Sequence, residues 1–437
     1  MTYSAKCFAI GLWVGVLAHT PVYAALPKMS GIWEITLVTL GVSQNRRLTI
    51  SDQGSELQAT LGSLRFTGRW RSGTLQLHCQ AEIPCGELSL HGGDASIAGE
   101  GILNSTPVTL RGKRPAVRPY AAPRVFDFEP QQFSGLFGDT AKAALTLFPG
   151  DTVRTKTLDA EGFDAHGVRQ TTLVNPQTGP FYIETAMPGD TLAIHFVRIR
   201  TNRPTADMYG DALAANGLEP YSLRRESKVS KGSSTWTLHP ERGVATLSQP
   251  SQKLVHFEVP LQPMLGCVGV APAFGQSLRT VNLGAYGGNL DYSGVHEGAT
   301  LYLPVFQPGA LLFIGDGHAR QGDGELTGTG LETSMDVEFT VELIKDQSLD
   351  QPRIEDAEFV MISGIGGSLS DALQLATSGM VRWLKDTYGL SAGDIALVLG
   401  SSMHYDITEI VDPQIHVVAK LRKDSLSGIA ASDEGDH

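Results

Sequence analysis

One glycine-rich segment of the chain holds the residue types that bind divalent metals. Residues 315–325 contain three acids, one histidine and four glycines, and the apolar residues 310–314 precede them. A strand is therefore predicted to deliver the chain into a loop in which glycines let side chains converge on one point. Carboxylates and imidazole are ligands for hard or borderline cations. Asp316 and His318 are therefore predicted metal ligands, and a solvated acidic turn is the alternative.

Polar side chains of the same types recur in three other short segments. In chain order they are Asp164 with His166, then His195, and then Asn289 with Asp291. Each segment also has a structural explanation: a polar loop, a hydrogen-bonded strand histidine and an Asx turn, respectively. If these residues join the first segment, they could hold a metal that activates water for attack on a carbonyl group.

The composition limits the classes of partner. The chain has 46 acidic residues against 34 Lys and Arg, so its net charge is -12. Nucleic-acid binding needs Lys and Arg to neutralise phosphates, and the sequence has no basic stripe. No nucleic-acid partner is therefore predicted. The 49 glycines and the charged fraction of 18% indicate many turns and short strands.

The N-terminus has the pattern of a secretory signal, residues 1–24. Lys6 precedes an apolar run over residues 7–17, and the small residues Val22 and Ala24 suit cleavage after Ala24. The run is shorter than the roughly 20 residues of a membrane-spanning helix, which is the alternative interpretation. A periplasmic or secreted protein, without stable membrane insertion after cleavage, is predicted.

Export would expose the cysteines to an oxidising compartment. Cys79 and Cys85 are close enough in the sequence for a small disulfide loop, and two buried free thiols are the alternative. Cys267 lies in an apolar run and is predicted to be a core residue.

Turn signals and composition divide the mature chain into four parts. They are a small antiparallel β module (25–113), a linker rich in Pro and Arg (114–124), a larger β-rich domain (125–423) and a polar tail (424–437). One helix is predicted near the C-terminus, capped by Ser368 or Ser370 and ended by Gly389, and residues 395–399 have a strand-like pattern. The predicted fold class is mainly β with some α, a β-rich α+β arrangement.

A series of long motifs runs in order from Phe126 to Leu421. They are the segments 175–184 (NPQTGPFYIE), 188–192 (PGDTL), 269–273 (GVAPA), 287–291 (GGNLD), 298–305 (GATLYLPV), 315–325 (GDGHARQGDGE) and 332–333 (ET). Together they resemble the acetamidase/formamidase family.

The resemblance implies hydrolysis of a small linear amide, of the formamide or acetamide type, to a carboxylate and ammonia. It implies an active site lined by Asn289, Asp291, Asp316, His318, Asp323 and Glu325. In the hypothesis drawn from it, Asp316 and His318 hold a divalent metal with some of Asp291, Asp164, His166 and His195. Zinc is favoured over calcium or another divalent ion, and Glu325 transfers the proton. Asn289 or a backbone N–H of the glycine-rich loop stabilises the oxyanion, and Asp323 is a further catalytic candidate. The family also suggests a homodimer or larger assembly.

The signal sequence and the N-terminal module depart from the plain family pattern. Two alternatives therefore stay open. One is a hydrolase of another small C–N compound. The other is a non-catalytic secreted binding protein that uses the family domain as a scaffold.

Overall fold

The computed structural model describes residues 29–52, 56–81, 85–210, 213–218 and 232–429. The predicted signal peptide (1–24) and residues 430–437 of the predicted tail lie outside the described residues. Among the described residues, no helix combines the length and the apolar character that a membrane span requires.

The first eight strands form a closed antiparallel barrel in which β8 pairs with β1. They are β1 (Gly31–Thr39), β2 (Val42–Asp52), β3 (Leu57–Leu61), β4 (Leu64–Arg71), β5 (Thr74–Cys79), β6 (Gly86–Gly92), β7 (Ser96–Leu103) and β8 (Thr106–Lys113). Alternation sends Trp33, Ile35 and Leu37 into an apolar interior. Leu40 and Gly41, with φ of 50° and 80°, form a tight two-residue turn suited to the strand twist. Cys79 and Cys85 are joined in a disulfide.

The larger domain contains the remaining strands. They are β9 (Val125–Asp127), β10 (Phe133–Ser134), β11 (Leu136–Phe137), β12 (Leu145–Leu147), β13 (Thr152–Lys156), β14 (Gln177–Ile183), β15 (Thr191–Thr201), β16 (Thr205–Met208), β17 (Ser234–His239), β18 (Val244–Leu247), β19 (Glu258–Pro260), β20 (Met264–Gly269), β21 (Leu278–Arg279), β22 (Leu283–Gly284), β23 (Gly287–Asn289), β24 (Thr300–Pro304), β25 (Leu312–His318), β26 (Met335–Ile344), β27 (Arg353–Glu355), β28 (Phe359–Gly366), β29 (His404–Glu409) and β30 (Ile415–Arg422).

Two large sheets pack face to face in this domain. One has nine strands in the order β29-β30-β28-β27-β24-β15-β26-β13-β9, and the other has the order β10-β14-β25-β20-β23-β22 with β12 beside β14. Their apolar faces share one core, in which the rings of Phe181 and Phe339 lie 5.3 Å apart. The order of the second sheet matters most here, because it brings residues that are far apart in the sequence side by side.

Two helices near the C-terminus pack on the nine-stranded sheet, α1 (Leu369–Tyr388) and α2 (Ala392–Ser402). Ser368 caps α1 and Gly389 ends it with a φ of 66°, as the sequence predicted. The predicted strand at 395–399 is wrong. Ser391 and Asp394 form a capping box there, and its reciprocal hydrogen bonds start a helix instead.

The predicted tail also needs a correction at its beginning. Residues Asp424–Leu426 form a 3-10 turn, and Leu426 is buried against the apolar cluster under the helices. The chain is therefore still packed on the domain where the sequence suggested a polar extension. Apart from these local differences, the mainly β fold with a small antiparallel module and a C-terminal helix is confirmed.

An ion-pair cluster joins the barrel to the larger domain. Arg47 of β2 donates two hydrogen bonds to the buried carboxylate of Asp190, at 2.8 and 2.7 Å. It also contacts Asp346, and Lys345 lies 3.2 Å from Asp190. The segment between the two parts is packed as well, because Tyr120 contacts the buried Asp151.

Candidate active site

Four neighbouring strands of the second sheet bring the polar residues of the motifs together. Strand β25 lies between β14 and β20, and β23 is the next strand beyond β20. Asp316 and His318 are two residues apart on β25, so alternation puts both on one face. Asn289 ends β23 and Asp291 follows it, hydrogen-bonded through its N–H to the carbonyl of Gly266 on β20. The sheet order thus joins the segments 287–291 and 315–325.

Gly266 provides the space in which two carboxylates meet. It lies opposite Asp316, between the pairs Leu265–Gly317 and Cys267–Gly315. A Cβ atom at Gly266 would lie 2.4 Å from Oδ1 of Asp291 and 2.9 Å from Oδ2 of Asp316. Real Cβ atoms do not approach oxygen that closely, so no larger residue fits while both carboxylates keep their positions.

The backbone is left-handed at four polar residues of this region. Asn175, Asp291, Asp316 and Glu325 have φ of 48°, 42°, 58° and 45°. Such conformations cost non-glycine residues on the order of 1–3 kcal/mol each and persist when their surroundings impose them. Their concentration at one place indicates that the local structure is determined by where the side chains must lie, and not by the preferred backbone conformation of each residue.

His318 is surrounded by carboxylates. Its Nε2 lies 3.1 Å from Oε1 of Glu332, 3.4 Å from Oδ1 of Asp316 and 3.8 Å from Oδ1 of Asp291. Among the described residues, two sets of three side chains have ligand atoms within 4.8 Å of one another: Asp291, His318 and Glu325, and Asp316, His318 and Glu332. Both sets use His318. Because one ring nitrogen binds one ion at a time, the two sets are alternative sites for a single ion.

The donor atoms fit a divalent cation. Oδ1 of Asp291, Oδ1 of Asp316 and Oε2 of Glu332 are buried and accept no hydrogen bond. Buried carboxylate oxygens without a donor are costly, and a cation beside them would remove that cost. Aspartate, glutamate and histidine together suit zinc and other borderline or hard divalent ions.

Burial and neighbouring charges raise the pKa values of these groups. Burial raises the pKa of Asp291 and of Glu325 well above the usual range, and their carboxylate neighbours add to the effect. The pKa of Glu332 is raised to about 7, also mainly by burial. Burial alone would lower the pKa of His318, but Glu332 and Asp316 outweigh it and raise that pKa well above 6.5. A cation would therefore displace protons on binding.

Side-chain amides separate the carboxylates from one another. Asn289 donates one N–H to Oδ2 of Asp291 and the other to Oδ2 of Asp412, at 2.7 Å for Asp412. Its Oδ1 accepts from Asn175, which also contacts Oδ2 of Asp316 at 3.1 Å. Since both N–H groups of Asn289 are engaged, the geometry gives this residue a positioning role instead of the oxyanion contact that the sequence suggested.

The β29–β30 hairpin forms a further wall of the site. The N–H of Gly324 donates a hydrogen bond shared between the carbonyls of Ile407 and Thr408. This hydrogen bond anchors the loop that carries Glu325 to the hairpin. Asp412 lies in the turn of the hairpin, and burial raises its pKa to about 6. The buried Glu409 beside it has its pKa raised to about 8 by burial. A segment roughly 90 residues beyond the glycine-rich loop therefore belongs to the site.

The structure leaves four of the residues singled out by the sequence outside this cluster. Asp164 accepts hydrogen bonds from the N–H groups of His166 and Val168, so it forms the local turn that was its structural alternative. His166 is exposed in the same turn. His195 is exposed on β15 and contacts the hydroxyl of Thr300 at 3.0 Å. Asp323 is exposed too. Each of these side chains faces solvent or a local partner, because neither the order of the strands nor the path of its loop directs it toward the cluster.

Several residues of the cluster were not predicted as site residues. They are Asn175, Gln177, Gln321, Glu332, Asp412 and Glu409. Asn175, Gln177 and Glu332 lie within segments that carry the family resemblance, and Gln321 lies within the glycine-rich loop, so a signal existed for these four. No local pattern marked Asp412 or Glu409, which reach the site through the fold of the hairpin.

Comparison with known proteins relates this part of the chain to one family. The model of the Acetamidase/Formamidase family matches residues 273–412, which include Asn289, Asp291, Asp316, His318 and Asp412. A formamidase of Methylophilus methylotrophus is 24% identical over 251 residues, covering 45% of this chain and 60% of the formamidase. The match thus spans less than two thirds of that relative.

Solved structures extend the similarity to most of the larger domain's length. An acetamidase from Yersinia enterocolitica superposes with a TM-score of 0.61 at 27% identity, covering 72% of this chain and 96% of the acetamidase. An acetamidase from Bacillus halodurans gives a TM-score of 0.60 at 27% identity, with coverage of 70% and 100%.

Proposed function

The chain belongs to the acetamidase/formamidase family, and from this premise we propose that it hydrolyses a small linear amide to a carboxylate and ammonia with a divalent cation, zinc, as cofactor. The observation that carries the proposal is the convergence of Asp291, Asp316, Glu332 and Glu325 on His318, with orphaned carboxylate oxygens directed into the group. A bound divalent cation supplies positive charge that acidifies water and polarises an amide carbonyl.

The residues of the chain divide the remaining work between them. His318 would hold the cation together with carboxylates drawn from Asp291, Asp316 and Glu332, which leaves Glu325 for proton transfer. Glu325 is buried with its pKa raised, so it is suited to accept a proton from water and to return it to the leaving nitrogen. In the balanced reaction, the water oxygen bonds to the carbonyl carbon and the C–N bond breaks. One water proton reaches the leaving nitrogen through Glu325 and gives ammonia. The other stays on the carboxylic acid, which becomes the carboxylate by giving that proton to ammonia or to solvent.

Chelation should remove the activity. The test uses the chain from Ala25 to His437, with metal content and ammonia release measured on formamide, acetamide and propionamide before and after treatment with a chelator. About one zinc per chain and chelator-sensitive release, restored by zinc, is the expected result, because the buried acids need the cation to ionise together.

Two other outcomes would redirect the proposal. Metal without ammonia release from any of the three amides would keep the metal site and reject simple amides, in favour of another small C–N compound. A folded protein with neither metal nor release would reject the enzymatic function and favour a secreted binding protein. A homodimer or larger assembly stays a prediction of the family resemblance.

We also propose that the protein acts in the periplasm or outside the cell. The pattern of residues 1–24 supports this, and so does the disulfide of Cys79 and Cys85, because disulfides persist in oxidising compartments. N-terminal sequencing of the protein from a periplasmic or culture-medium fraction should begin at Ala25. A protein that starts at Met1 and fractionates with the cytoplasm would refute the proposal.

A further inference from the structure

Gln321 connects three parts of the site through one side chain. Its Oε1 lies 2.8 Å from Nδ1 of His318. Its Nε2 donates to the backbone carbonyls of Asp291, at 2.6 Å, and Thr408, at 3.1 Å. The residue is buried, with 8% of its surface exposed, so water does not compete strongly for these contacts.

The chemistry of these contacts determines the orientation of the amide. The carbonyls of Asp291 and Thr408 can accept hydrogen bonds but cannot donate them, so the NH₂ group of Gln321 must face them. Its oxygen therefore faces the imidazole. Because that oxygen is an acceptor, Nδ1 of His318 must carry the hydrogen, which leaves the lone pair of the neutral ring on Nε2.

Nε2 is the nitrogen that faces the carboxylates. It is the atom within 3.1 to 3.8 Å of Glu332, Asp316 and Asp291, whereas Nδ1 points away toward Gln321. Gly330 keeps the ring in this place, because a Cβ there would lie 2.6 Å from Nδ1. The tautomer selected by Gln321 is thus the one that presents a lone pair to the cation position.

We propose that Gln321 is the positioning residue of the metal site: it fixes the tautomer of His318 and couples that ring to the backbone of Asp291. The inference rests on the proposed function, since it concerns the cation that the carboxylates would hold. The coupling reaches Asp291 as well as His318, because Gln321 contacts the ring of one and the backbone carbonyl of the other. Partners of this kind orient a metal-binding histidine and raise its basicity.

Two substitutions of Gln321 separate this role from simple structural support. Gln321→Leu removes all three hydrogen bonds at similar volume. Gln321→Glu keeps an acceptor for the Nδ1 hydrogen but loses the amide that donates to Asp291 and Thr408. Gln307→Leu is the matched control, because the side chain of Gln307 donates to the carbonyl of Pro272, a residue outside the cluster.

Zinc affinity, measured by competition with a chromophoric chelator, is the first readout. Gln321→Leu should bind zinc about 10- to 100-fold more weakly than wild type, the range found for lost partners of metal-binding histidines. Gln321→Glu should recover most of the affinity, and Gln307→Leu should match wild type. Circular dichroism and thermal melting of the metal-free proteins check that all variants fold.

Cobalt(II) substitution reports on the tautomer itself. In the cobalt-loaded wild type, a histidine bound through Nε2 should give one hyperfine-shifted proton resonance that disappears in D₂O, from Nδ1–H. Its exchange should be slow in wild type and Gln321→Glu, and fast or undetectable in Gln321→Leu.

The outcomes distinguish this inference from the proposed function. A wild-type protein that binds no zinc and releases no ammonia would overturn both. A wild type that binds zinc and releases ammonia, beside a Gln321→Leu variant of equal affinity, would overturn the inference alone. Equal losses in Gln321→Leu and Gln321→Glu would also overturn it. Loss of the acceptor for Nδ1 would then add nothing to the loss of the contacts with Asp291 and Thr408, so Gln321 would not fix the tautomer.

Discussion

Replacement of His318 by alanine is expected to abolish zinc binding and to lower kcat/KM for amide hydrolysis by at least about 10²- to 10³-fold, the range for loss of one key electrostatic contact in an active site. The reason is geometric. Both candidate ligand sets use this ring, so its removal disables each of them. The remaining carboxylates would keep their protons more firmly, since their neighbours are also acids. Metal analysis of the purified variant and an ammonia assay measure the two effects.

The histidines that the sequence grouped with His318 provide the control. His166 and His195 are exposed and lie outside the cluster, so His166→Ala and His195→Ala should keep wild-type metal content and turnover. If either one loses metal while His318→Ala retains it, the site has been assigned to the wrong residues. Thermal melting separates a lost ligand from a lost fold.

Replacement of Gly266 by alanine is expected to weaken zinc binding about 10- to 100-fold, as other disturbances of ligand placement do, without changing any polar residue. The added Cβ would lie 2.4 Å from Oδ1 of Asp291 and 2.9 Å from Oδ2 of Asp316, so one or both carboxylates must move. Overpacking of this kind should also lower the free energy of unfolding by about 1–3 kcal/mol. Chelator competition and chemical denaturation measure the two quantities.

Gly322, in the loop that carries Glu325, offers a control glycine. A Cβ at Gly322 meets no atom within 4 Å, and its φ is not positive, so Gly322→Ala should bind zinc as wild type does. Unchanged affinity in Gly266→Ala would show that Asp291 and Asp316 do not need their present positions to hold the cation. The ligand assignment would then have to move to Glu325 and Glu332.

Backbone strain at the site is the common physical basis of the His318→Ala and Gly266→Ala experiments. Four polar residues adopt left-handed backbones there, and amides of Asn175 and Asn289 hold acids that would otherwise repel one another. A site of this kind depends on the surrounding fold, because strained left-handed conformations persist where their surroundings impose them. Small changes in packing, such as one methyl group at Gly266, should therefore have large effects on ligand geometry.

The sequence by itself predicted the β-rich fold, helix α1 and the segment that carries most of the chemistry. Alternation predicted the strands of the barrel, since period-two burial is a local property. Ser368 and Gly389 bounded α1 through capping chemistry that involves neighbouring residues. Residues 395–399 were predicted to form a strand because a short apolar run fits either a strand or a helix. The capping box at Ser391 selects the helix.

Which side chains meet was decided by the tertiary structure. Asp291, Asp316 and His318 converge because β25, β20 and β23 are neighbours, and strand order results from contacts between distant segments. Asp164 and His195 have suitable chemistry but lie on a loop and a strand face that point elsewhere. Asp412 joins the site through a hairpin far along the chain, where no local pattern distinguished it from other surface acids. Residue type and spacing are local, whereas convergence on one point depends on long-range pairing. The sequence therefore predicted the chemistry, but it predicted the membership of the site only in part: Asp291, Asp316, His318 and Glu325 converge, and Asp164, His166 and His195 do not.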